Sequence, residues 1–180
     1  MFEKQTGQDI FAAFRTDLAE PLQMEDFDIK KQRKTGSPEK SIHPGYMLRL
    51  STRDMARIGH LMLSKGQWKS SSLYPEEWIT KITSTVTPAE EFEHQGLKKT
   101  QVGFGLCWWT VHKYPTRHPD LMAGSFFANG AFGQNILVIP KADLVIVTKV
   151  DSGYFGYQLM DDIPLETLFE MSDKVLDARI

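Results

Sequence analysis

The chain has 180 residues, a net charge of −2 and 41% hydrophobic residues. That is enough for one domain with a real core, and too nearly neutral to suggest nucleic acid or an anionic membrane as a partner. A single cysteine, Cys107, excludes an intrachain disulfide, no apolar stretch reaches the length of a membrane span, and Met1 to Ile10 lacks the apolar core of a signal peptide. In chain order, Thr6 or Gly7 can start a helix over roughly Gln8 to Glu20, with Ile10, Phe11, Phe14 and Leu18 on one face. Pro21 stops it, and Pro21 to Met24 makes a tight apolar corner. Lys30 to Lys40 is charged and turn-rich and reads as a solvated loop. Ser51-Thr52-Arg53-Asp54 is a capping box opening a helix whose apolar face holds Met55, Ile58, Leu61 and Met62, with Gly66 as its C-terminal stop. Pro75-Glu76-Glu77 opens another helix that buries Trp78, Ile79 and Ile82. Thr87 to Lys99 is polar and reads as an exposed excursion.

Val102 to Val111 reads as one strand, with Gly103 and Gly105 where backbone or ligand comes close. Cys107 lies in this aromatic run and is expected to be a buried, unreactive thiol. Three apolar runs follow: Leu121 to Ala128, Asn135 to Ile139 and Leu144 to Val150. Asn129-Gly130 and Pro140 to Asp143 separate them. Composition and length suit strands, and the short connections make them antiparallel neighbours. The last two runs are almost continuously apolar, so the sheet should be covered on both faces. Asp162-Ile163-Pro164 then opens a terminal helix with Leu165, Leu168, Phe169, Val175 and Leu176 on its face. The expected class is α+β: a single domain over 1–180, mainly helical to residue 100, then an antiparallel sheet of at least three strands with a C-terminal helix.

Several segments, in this order, resemble the penicillin-recognising serine hydrolases, which include class C β-lactamases, D-alanyl-D-alanine carboxypeptidases and related esterases. Thr6-Gly7 through Pro21-Leu22-Gln23-Met24 resembles their TG…PLGM segment, with Gln23 in place of Gly. Leu50 to Arg57 resembles the ST-x-x-D-x-A-R helix. Gly66-Gln67-Trp68 with Leu73 to Trp78 resembles G-x-W…L-x-S-P-E-W, and Phe104 to Trp109 resembles YGLGWW. Gly130 to Gln134 with Ile139-Pro140 and Asp143 to Val145 resembles the GxxGQ…vP…dLVvV hairpin. The resemblance implies the C-terminal part, roughly half, of such a domain. It also implies acyl transfer to a serine in the complete enzyme, on a lactam, peptide or ester substrate and without a cofactor.

The family's Ser-x-x-Lys and Tyr-x-Asn motifs lie upstream of the TG…PLGM segment and have no counterpart here. Ser37-Pro38-Glu39-Lys40 has the first spacing, but in a charged loop. The family's Lys-Thr-Gly matches Ala128-Asn129-Gly130. On that match Ala128 replaces the substrate-binding cation, Asn129 turns a polar side chain to the cleft, and the N–H of Ala131 is an oxyanion donor. Trp108 would line the cleft, although adjacent strand residues face opposite ways and at least one of Trp108 and Trp109 belongs to the core. Against the site reading, Asn129-Gly130 is equally a hairpin turn pair. The histidines, His43, His60, His94, His112 and His118, show no zinc spacing, so no metal is expected. Tyr154, Phe155 and Tyr157 either cap the sheet or close a cleft. The chain is therefore expected to be catalytically silent alone. Its expected partner is a second copy or a chain carrying the missing N-terminal half. The competing reading is a non-enzymatic module that keeps the cleft wall for a ligand or protein. Relatives are often exported.

Overall fold

A computed structural model describes residues 2–37, 39–93, 99–131, 133–150 and 164–179. The chain divides into two compact units, Met1–Ile58 and Gly59–Ile180. The predicted roles of His94, Tyr154, Phe155, Tyr157, Asp162 and Ile163 fall outside the described residues.

In the first unit, α1 (Phe2–Thr6) precedes α2 (Ile10–Phe14). The start of α2 is set by Asp9, not by Thr6 or Gly7, because the Asp9 carboxylate accepts from the amides of Phe11 and Ala12 at 2.9 and 3.1 Å. The helix widens into a π-turn over Arg15–Ala19. It ends when Gln23 N–H donates to Glu20 O and Met24 N–H to Ala19 O. This is the Schellman arrangement, which needs a left-handed residue at Gln23, found at φ 55. Leu22, in the corner, is fully buried.

The charged stretch expected to be a free loop is instead half of a hairpin. β1 (Arg33–Thr35) pairs with β2 (Gly45–Met47). Two clamps outweigh its solvation. Lys34 Nζ sits 2.7 Å from Glu3 and 3.0 Å from Asp9, and Gln32 clasps the backbone of Arg49 through both ends of its amide. At the start of α3 (Thr52–Leu63), Ser51 Oγ accepts from Asp54 N–H at 3.1 Å. The reciprocal half of the capping box is missing. The Asp54 carboxylate is wholly buried, with no hydrogen-bond partner among the described residues.

The second unit begins inside α3, where Leu61 and Met62 are buried. The helix stops with Lys65, not Gly66, as its left-handed cap residue, since Lys65 N–H donates to Met62 O and Gly66 N–H to Leu61 O. A short hairpin of β3 (Gln67–Trp68) and β4 (Ser71–Ser72) leads to α4 (Glu76–Ile82). Ile79 is buried there as expected, but Trp78 is 46% exposed, with Lys81 Nζ 5.7 Å from its ring centroid. A helix this short has room for one inward row, and Ile79 takes it.

The main sheet is antiparallel, with five strands in sequence order: β5 (Val102–Phe104), β6 (Trp109–Val111), β7 (Phe126–Gly130), β8 (Gln134–Ile139) and β9 (Leu144–Thr148). The single strand expected over Val102 to Val111 is thus a hairpin, turned at Cys107 with φ 65. Cys107 is consequently exposed rather than buried. Gly103 and Gly105 do mark close approaches, but of protein rather than ligand. A Cβ on Gly105 would lie 2.6 Å from Ile82 O and Ser84 O, and one on Gly103 2.7 Å from Thr85 Cγ2. The first apolar run is also divided, between α5 (Pro119–Met122) and β7.

Both faces of the sheet are covered. On one, Phe127, Leu137 and Ile139 pack with Leu168, Phe169 and Leu176 of α6 (Leu165–Asp177). On the other, Gly59 lies so close to Val145 and Ile136 that a Cβ would collide with both. Val175 is 38% exposed, so the inward face of α6 is completed by Ser172 and Asp173. Asp173 accepts from the Arg117 amide at 3.0 and 3.1 Å. The class is α+β, with an antiparallel sheet and helices.

Candidate functional site

β7 ends in the predicted site residues, and its register with β8 fixes where they stand. Phe127 pairs with Leu137, Ala128 with Ile136, Asn129 with Asn135 and Gly130 with Gln134. Asn129-Gly130 is therefore strand rather than turn. The chain turns between Gly130 and Gln134, where Gly133 is left-handed at φ 76, while Gly130 does not have positive φ. A three-residue connection closed by a left-handed glycine suits the twist of a hairpin as well as a two-residue Asn-Gly turn does. Ala131 opens the turn and is exposed.

Side chains alternate along a strand, so Asn129 shares a face with Phe127, and Asn135 with Leu137. Across β9, Leu137 pairs with Ile146 and Asn135 with Thr148. Two rows result. The apolar row is Phe127, Leu137 and Ile146. The next row is polar and hydrogen-bonded throughout. Asn129 Nδ2 donates to Asn135 Oδ1 at 2.7 Å, Asn135 Nδ2 to Thr148 Oγ1 at 3.0 Å, and Thr148 Oγ1 to the carbonyl of Gly133 at 2.8 Å. Asn135 is 2% exposed while Asn129 is exposed. Beside them, Gln134 Nε2 donates to Val150 O at 2.8 Å. Sequence reading singled out Asn129 but missed Asn135 and Thr148. Their only signal was a polar residue opening one apolar run and another interrupting the next.

Trp108 stands elsewhere in the packing. It is 9% exposed, with its ring edge-on to Phe126 at 5.5 Å. Trp109 stacks on Phe127 at 6.2 Å. The spacing match Ser37 to Lys40 lies in a turn, where the amides of Lys40 and Ser41 donate to Ser37 O. It is not at the start of a buried helix.

An open cavity of about 660 Å³ is lined by Thr85, Val86, Glu90, Glu91, Gln101 and His112 among others. In it Thr85 Oγ1 sits 2.7 Å from His112 Nε2 and 2.8 Å from Thr110 Oγ1. None of the predicted site residues lines it. His60 packs edge-on to Trp68, and His118 Nε2 lies 2.7 Å from Asp177. Among the described residues no cluster of His, Cys, Asp and Glu could hold a metal, and no helix is long and apolar enough to cross a membrane. Burial, with Glu166 and Glu170 adding their charge, pushes the Tyr114 phenol up to about 12. Desolvation and the Glu3 carboxylate also raise Tyr46. Neither phenol is poised as a base near neutral pH.

No family model matches the chain. An uncharacterized protein of Alkalihalophilus pseudofirmus is 29% identical over 107 residues, which cover 57% of this chain and 30% of that protein. A solved structure described as "Putative 6-aminohexanoate-dimer hydrolase from Bacillus anthracis" is similar at 28% identity and a TM-score of 0.42, covering 57% of this chain and 23% of that one. The chain thus spans under a third of the curated relative and under a quarter of the solved one.

Proposed function

We propose that this chain is the C-terminal portion of a β-lactamase-related serine hydrolase, supplying the oxyanion-side strand and the helix behind it. The observation that carries the reading is the order of five family-like segments from Thr6-Gly7 to Asp143-Leu144-Val145. The placement of Ala128, Asn129 and Gly130 at the end of β7, followed by the exposed Ala131, is compatible with it. In the complete enzyme a serine attacks the carbonyl carbon of a lactam, peptide or ester. The carbonyl oxygen becomes an oxyanion that accepts from Ala131 N–H, the leaving group departs with a proton, and water then releases the acid from the acyl-serine.

These 180 residues hold no Ser-x-x-Lys at a helix start, so the chain alone is expected to be silent. Purified protein should give no turnover of a chromogenic lactam or a p-nitrophenyl ester, and no covalent labelling by a fluorophosphonate. Labelling should appear when a chain carrying Ser-x-x-Lys and Tyr-x-Asn is added. Stoichiometric labelling with turnover by this chain alone would overturn the expected silence. Failure of every such added chain to restore labelling would favour the non-enzymatic binding module.

A further inference from the structure

The hydrogen bonds linking Asn129, Asn135 and Thr148 can run in only one direction. Their end point is the carbonyl of Gly133, which can only accept, so the Thr148 hydroxyl must donate to it. With its proton spent, Thr148 Oγ1 accepts, and the group facing it must be the NH2 of Asn135. That turns Asn135 Oδ1 toward Asn129, which in turn must present its own NH2. One orientation of the Asn129 amide remains: Oδ1 and the second Nδ2 hydrogen are the groups left for a ligand. An isolated surface asparagine could flip its amide to suit either a donor or an acceptor. Here a flip would set two acceptors face to face against Asn135, itself 2% exposed, where water is poorly placed to relieve the clash.

The two strands that carry Asn129 and Asn135 are uncharged. From Leu121 to Pro140 the sequence has no Asp, Glu, Lys, Arg or His, so neither β7 nor β8 offers a cation to a carboxylate. We infer that Asn135 and Thr148 are positioning residues that hold Asn129 as a neutral acceptor–donor pair, selecting a ligand with an uncharged amide group and rejecting a carboxylate there. The inference rests on the reading that the end of β7 borders the substrate cleft, and it narrows the substrate class to amides that are neutral at that point. A carboxylate would bring acceptors against Asn129 Oδ1, and neither β7 nor β8 supplies a positive charge to offset the repulsion.

The test titrates the full chain with butyramide and with butyrate, two probes of nearly equal size, and follows the Asn129 side-chain NH2 and the Ala131 amide by NMR. Butyramide should shift both signals; butyrate should leave the Asn129 NH2 unshifted, while the Ala131 N–H, a donor to the oxygen of either probe, reports whether a probe has reached the strand end. Thr148→Val keeps the side-chain shape and removes the end of the relay. It should cut the preference for butyramide by about fivefold, the scale of one net hydrogen bond, with backbone spectra reporting that the fold is kept. Thr148→Ser should restore the preference, which loss of packing alone would not explain. Equal binding of butyrate, no shift at Asn129 from either probe, or an unchanged preference in Thr148→Val would each overturn the inference. Acylation of the completed enzyme is read in a different assay, so failure here is distinguishable from failure of the hydrolase reading.

Discussion

Gln23 occupies the left-handed end of a Schellman turn at φ 55, a conformation that costs an L-residue with a Cβ about 1 kcal/mol. The resembling family carries glycine at the matching position. Gln23→Gly should therefore raise stability, by roughly 0.5 kcal/mol after the larger unfolded-state entropy of glycine is subtracted. Denaturant unfolding checks the sign, and an unchanged or lower midpoint would show that the strain is already relieved. The hairpin after β7 supplies a paired comparison. Gly133 has φ 76, whereas a Cβ on Gly130 would meet only Gln134, at 3.2 Å. Gly133→Ala should cost on the order of 1–2 kcal/mol, and Gly130→Ala distinctly less. A larger loss at Gly130 would contradict the pairing of Gly130 with Gln134. The Asn-Gly pair was the right place to look for special backbone but the wrong residue. A local turn signal does not say how many residues the connection uses.

At the scale of elements, the hairpin of β1 and β2 is held by charge, and this gives it a pH dependence. Hydrogen bonds from Lys34 hold the carboxyls of Glu3 and Asp9 below their usual values. A carboxyl with a depressed folded pKa adds stability above its unfolded value, near pH 4, and that stability is lost as pH falls through the folded value. Thermal melting should thus fall below about pH 4 in wild type, and less steeply in Lys34→Met. Parallel curves would mean that the ion pairs contribute nothing in solution, the usual fate of exposed pairs. The same clamps explain why sequence reading missed this hairpin. Its strands carry no apolar alternation, and their partners, Glu3 and Asp9, lie far away in sequence. Where apolar content decides the structure, as in β8, β9 and the inward face of α6, the elements were legible. Trp78 and Val175 were misread because apolar identity does not say which side of a short or terminal helix finds a neighbour.

For the molecule as a whole, the exposed question is the sheet edge. Among the described residues β9 is paired on one side only, with β8. Its sequence, Leu144 to Thr148, is apolar and rich in β-branched residues. Such an edge recruits further strands, and we expect the chain to self-associate through it, with two-fold symmetry. Light scattering after size exclusion at micromolar concentration should show a mass above the monomer that falls on dilution. A monomer at all concentrations, with little dye binding to apolar surface, would sink this expectation. The α+β class and the antiparallel order of β7, β8 and β9 followed from run lengths and breaks. The polar row did not, because hydrogen bonds between strands depend on register, which no single strand reveals.

That row also has a bearing on how the sheet comes together. β8 and β9 are both so uniformly apolar that many alignments would bury similar surface. Only one sets Asn135 against Thr148 and Asn129 together. A slip of one residue would turn Thr148 to the opposite face, and a slip of two would put Ile146 beside Asn135. Either leaves a buried amide without its partner, at a cost of about 1–3 kcal/mol. Asn135 thus acts as an alignment mark for strands whose greasy side chains could not tell one pairing from the next.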